Sequence, residues 1–147
     1  MVMLVAEAIG ILMRWAHIAS VAALVGGMLY ARMVALPVLA KADDTERPEI
    51  FNWLALRHRP LVYSAIVGLL ISGIYTILTH RGHTPYYHMW FGIKILLVLH
   101  VFAASVLGVR PSPAGAASEA KRARRITGVV LSGLLIILIS AYLRRIY

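Results

Sequence analysis

The chain has no cysteine. Disulfides, thiolate metal centres, c-type haem attachment and iron–sulfur clusters held by this chain alone are thereby excluded. Any metal or haem must be held by His, Lys, Met, carboxylate or Tyr. Acids are also scarce, with six Asp and Glu among 147 residues. Asp43, Asp44, Glu46, Glu49 and Glu119 cluster around the connectors of one side, and Glu7 alone is placed near the other. Carboxylate-based hydrolysis therefore has no paired acids to work with. The sequence contains no Ser-His-Asp set, Gly-rich phosphate loop or metalloprotease helix motif. It also shows no basic n-region followed by a small-residue cleavage site, so the stretch from Met1 to Leu12 does not read as a secretory signal and the first span is expected to be retained.

What is abundant is hydrocarbon. Hydrophobic residues make up 61% of the chain and charged residues only 14%, far from the soluble average. Four stretches, near 12–36, 60–79, 89–109 and 125–143, each approach the roughly 20 residues needed to cross a bilayer core of about 30 Å. The expected fold is all-α: an integral membrane four-helix up-down-up-down bundle, one domain over residues 1–147, embedded in the lipid bilayer. Between spans one and two, Thr45, Pro48 and Glu49 have the chemistry of a helix start, and Ile50, Phe51, Trp53, Leu54 and Leu56 give an apolar side. This segment reads as a short interfacial helix ahead of Pro60.

The net charge of +9 is unevenly distributed. Arg32, Lys41, Arg47, Arg57, Arg59, Arg110, Lys121, Arg122, Arg124 and Arg125 flank two connectors, and Arg14, Arg81, Arg144 and Arg145 the opposite side. By the positive-inside rule both termini face away from the cytoplasm, with a bacterial inner membrane the expected location. The run Lys121–Arg125 then serves as a topology anchor on anionic lipid, and no nucleic-acid partner is expected. Small residues recur at four-residue spacing: Ala19, Ala23, Gly27 and Ala31; Ser64, Gly68 and Ser72; Ala104 and Gly108. Such stripes let helix backbones approach where no hydrophobic effect drives association.

Lys94 and His100 lie inside the third apolar run, and His17 inside the first. Ionisable groups are costly in lipid, so each is a candidate functional residue. If Trp15 and Trp90 mark one interface, His17 is about 3 Å below it, Lys94 about 6 Å below, His100 about 15 Å below and His88 about 3 Å above. His17 and Lys94 then share a depth. A bis-histidine haem needs two imidazoles converging at comparable depth, which His17 with His88 meets; His17 with His100 requires helix tilt. Arg14, Arg81 and Arg144 are candidate partners for haem propionates. A second constellation, His80, His83, His88 and Met89, offers imidazole and thioether ligands suited to copper.

Arg14-Trp15-Ala16-His17 opening a span with Gly26-Gly27, Arg59-Pro60 leading into Val67-Gly68-Leu69-Leu70-Ile71-Ser72-Gly73-Ile74-Tyr75, and Gly92-Ile93-Lys94 resemble the copper-resistance D (CopD) type of bundle. The histidine of span one with the lysine of span three is also similar to HemJ, a four-helix family linked to protoporphyrinogen oxidation and b-type haem. The likeness runs from Arg14 to about Gly108. It implies haem b or copper chemistry, with His17 matching the span-one histidine and Lys94 the span-three lysine. His100 lies closer to that lysine than the corresponding HemJ histidine. The expected function is therefore a haem b membrane protein in redox chemistry, with Lys94 acting on substrate or a propionate and a quinone or porphyrinogen as redox partner. Copper transport or resistance, and an accessory role beside other membrane subunits or a second copy of the chain, are the alternatives.

Overall fold

The computed structural model describes residues 2–79, 85–111 and 116–145, except for the side chains at 2, 85–87, 116–117 and 144–145. The described residues form four long helices and no strand. Helix α1 runs as Val2–Val21 and continues through π-helical turns at Ala22–Gly26 and Ala31–Ala35, which alternate with α-helical Gly27–Tyr30 and Leu36–Leu39. Helix α2 is Arg47–Thr79, α3 is Pro85–Gly108 and α4 is Ala116–Arg145. All four are long and apolar enough to cross a membrane, so the chain is a multi-pass membrane protein. Apolar side chains on every helix are exposed, among them Leu12, Ile71, Leu96 and Leu138, as helices surrounded by lipid require.

Two prolines modify the helices without ending them. Pro37 lacks the backbone N–H, and its ring crowds the carbonyl of Met33 in regular α geometry. The second π turn ends two residues before it, and the helix closes two residues after it, with Ala40 donating to the Leu36 carbonyl at 3.0 Å. Pro60 sits inside α2, so the interfacial helix expected between spans one and two is not a separate element. It is the first third of one continuous 33-residue helix. A helix of that length measures about 50 Å against a hydrocarbon core of about 30 Å, so the Arg47 end projects beyond the apolar layer. Its missing bond at Pro60 is tolerated because packing against α1 holds the helix on both sides of the break.

The helices pack as two antiparallel hairpins, α1 on α2 and α3 on α4. Where the hairpins meet, Leu24 and Met28 of α1 join Val62 and Ala65 of α2, Val101 and Ala104 of α3, and Ile126, Val129 and Val130 of α4 in one core. Small residues set the separations. A Cβ at Gly68 would collide with the hydroxyl of Ser20. One at Gly133 would stand 2.8 Å from the Cγ2 of Val25.

The ends near the two connectors are fastened by arginines. Arg47 donates to the Leu39, Ala40 and Ala42 carbonyls at 3.1, 3.3 and 2.9 Å, satisfying acceptors at the C-terminal end of α1. It also pairs with Asp44 at 3.0 Å. Arg122 belongs to the basic run expected to touch lipid headgroups, yet it is buried at 6% exposure. Its guanidinium lies 4.1 Å from the centroid of the Phe51 ring and donates to the Arg110 carbonyl and, at 3.4 Å, to the Asn52 amide oxygen. A guanidinium stacks on an aromatic face while bonding in its own plane, a combination a lysine does not reproduce. Lys121 and Arg124 remain exposed.

The Val25–Gly133 contact makes a direct comparison possible. Val25 is stiff about its first torsion and has little room to yield. Gly133→Ala is expected to lower stability by about 1–3 kcal/mol through overpacking. Gly73→Ala, where a Cβ meets nothing within 4 Å, should leave stability unchanged or raise it by up to about 1 kcal/mol. Thermal melts in detergent check this; equal effects at both sites would contradict the packing.

Candidate intramembrane histidine site

His17 lies on the part of α1 that precedes the first π turn and is half-buried. The small stripe on α2 brings that helix close enough for the His17 ring to reach a hydroxyl. Its Nδ1 lies 2.9 Å from the Oγ of Ser72. Ser72 is 1% exposed, and its Oγ also lies 2.6 Å from the Gly68 carbonyl one turn earlier in α2. Thr76 repeats the pattern, donating to the Ser72 carbonyl at 2.8 Å, and Thr79 donates to the Tyr75 carbonyl at 2.8 Å. This end of α2 therefore carries a run of hydroxyls that satisfy themselves on their own helix, as hydroxyls in an apolar surrounding must.

Lys94 of α3 is half-buried and near enough to His17 for its charge to act on the imidazole. The two groups expected to share a depth therefore lie within electrostatic reach of each other. The tryptophan levels agree with this. Trp90 meets Tyr142 edge-on with ring centroids 5.6 Å apart. Tyr142 stands nine residues beyond Gly133 on α4, and nine residues back from Val25, the α1 contact of Gly133, lies Ala16. Trp90 is accordingly level with Trp15 to within about a turn.

The remaining candidates fall elsewhere. His100 is exposed and packs over Gly128 of α4, with its Nε2 3.4 Å from the position of a Cβ there. Its six-residue offset from Lys94 turns it about 240° around α3, toward α4 rather than toward the first hairpin. His88 and Met89 are exposed near the start of α3, just before the Trp90 level. Arg14 is exposed on α1, one turn before His17. His80, His83 and Arg81 lie outside the described residues, as does the side chain of Arg144. Among the described residues no three His, Cys, Asp or Glu side chains cluster as a metal site.

His58, between Arg57 and Arg59 on α2, faces Gly27 of α1. A Cβ at Gly27 would lie 2.9 Å from Cε1 and 3.0 Å from Nε2 of His58, so the glycine opens a place for the ring against α1. There its Nε2 is buried with no described hydrogen-bond partner. The available signal was the pairing of Gly27 with a polar residue at the matching level of an antiparallel neighbour.

Two features bear on whether a flat redox group suits the His17 position. No described hydrogen bond engages the Nε2 of His17, so one ring nitrogen is anchored and the other is uncommitted. The stretch Val2–Val21 of α1 packs chiefly on α2, whereas close contact of the first helix with α4 begins at the π turns. An imidazole with one nitrogen anchored is a donor that could hold the iron of such a group.

Comparisons with family models, curated proteins and solved structures find no match for this chain.

The geometry distinguishes a functional histidine from a structural one. Removing His17 leaves Ser72 bonded to its own helix, and single interhelical hydrogen bonds in membranes are worth about 0.6 kcal/mol on average. His17→Leu should therefore fold and melt within about 1 kcal/mol of the parent. Loss of the folded bundle on this change, judged by circular dichroism and size exclusion, would make His17 a structural contact instead.

Proposed function

We propose that this chain is a b-type haem protein of membrane redox chemistry, with His17 as an axial ligand and Lys94 as the charged group beside it. The observation that supports the reading is an intramembrane imidazole anchored through Nδ1 to Ser72, within electrostatic reach of the Lys94 ammonium. The resemblance to HemJ points the same way. Haem bound there would supply one-electron oxidation and reduction. His17 would hold the iron, with His88 or His100 as the second histidine. Lys94 holds an anionic group at the seam, either a propionate or the carboxylate of a porphyrinogen substrate, by a charge-assisted hydrogen bond. Arg14 serves the same purpose closer to the headgroups, and a quinone or a porphyrinogen is the redox partner. The charge distribution orients both termini away from the cytoplasm in a bacterial inner membrane, with the His17 end at the non-cytoplasmic side.

Visible spectra of protein purified after haem-replete expression test this. The oxidised protein should show a Soret band that shifts and sharpens on reduction with dithionite. His17→Ala should lose most of the bound haem, while His58→Ala keeps it. A colourless protein, or one that binds copper stoichiometrically in place of haem, would contradict the proposal.

A further inference from the structure

The hydrogen bonds around Ser72 contain more protons to place than one hydroxyl supplies. Its Oγ makes two short contacts, 2.6 Å to the Gly68 carbonyl and 2.9 Å to Nδ1 of His17. A third, longer approach runs to the Leu69 carbonyl at 3.3 Å. Each short contact needs its own hydrogen, because two lone pairs facing each other at such a distance repel. A carbonyl oxygen has no proton to give. The single hydroxyl hydrogen of Ser72 must therefore point at Gly68, and the hydrogen of the second contact must come from the imidazole.

We infer that Ser72 sets the tautomer of His17: Nδ1 carries the proton and donates it to Oγ, and Nε2 presents its lone pair to the seam. The hydroxyl is well suited to this. At 1% exposure it has little access to water that might supply another donor, and the back-bond to its own helix holds the hydroxyl rotor in one orientation. Which ring nitrogen of a histidine is available is decided by the hydrogen bond the other nitrogen makes. Outer partners of this kind fix ring orientation and ligand basicity at metal centres. Ser72 is accordingly a positioning residue that acts through His17. Its use in ligation rests on the haem reading above, whereas the tautomer does not.

Nitrogen-15 magnetic resonance of the full chain, labelled at histidine and embedded in lipid bilayers without added haem, reads the tautomer directly. The measurement is made at a pH high enough for a neutral imidazole, and the His17 signals are assigned by their absence in His17→Asn. The expected result is a protonated Nδ1 and an unprotonated Nε2. Ser72→Thr, which keeps a hydroxyl able to bond back to the helix, should preserve that pattern. Ser72→Ala should populate the opposite tautomer while the helices remain folded. An Nε2-protonated ring in the parent, or a pattern unmoved by Ser72→Ala, would overturn the inference. A parent with the expected tautomer that binds no haem would sink the haem proposal and support the assignment of Ser72.

Discussion

The approach of α1 to α2 through small residues is the constraint on which the site depends. Ser20 at Gly68 and His58 at Gly27 mark backbone separations that larger side chains would not permit. Between lipid-solvated helices there is no hydrophobic effect to force such closeness, so surface shape and a few hydrogen bonds determine it. The His17 ring reaches Ser72 because the helices are held at that distance on the turns that follow. A wider seam would leave the imidazole without its partner, in a medium where an unsatisfied polar group costs several kcal/mol.

The two ends of the bundle solve different problems. Near the connectors, arginines are used for structure: Arg47 gathers carbonyls at the end of α1, and Arg122 of α4 is held by the Phe51 ring and Asn52 amide of α2 and by the Arg110 carbonyl after α3. The Arg122 contacts tie the hairpins together at that end. On the other side α1 relies chiefly on α2, and that is where His17 reaches Ser72.

Much of this was legible in the residue order. Hydropathy and charge placement gave four crossings, and helical rise alone placed His17, Lys94 and Trp90 at related depths. Other features were not legible because they depend on neighbours. Pro60 signals a boundary by its chemistry, yet packing against α1 carries the helix through it. Arg122 is indistinguishable from Lys121 or Arg124 in a basic run; only the position of Phe51 on a different helix turns it inward. Ser72 read as one member of a small-residue stripe, and its second hydrogen-bond partner becomes visible only when α1 is set beside it. The π turns of α1 have no local composition that announces them, although the second ends two residues before Pro37.

The central claim is that an iron is ligated by His17. Electron–nuclear double resonance of the oxidised protein after haem-replete expression, with and without nitrogen-15 histidine, tests it most directly. The account predicts a histidine nitrogen strongly coupled to ferric iron, whose pattern changes with the isotope and whose signal falls with the haem content in His17→Ala. Ferric iron with no histidine nitrogen coupled to it, or a coupling that survives unchanged in His17→Ala, would contradict the account.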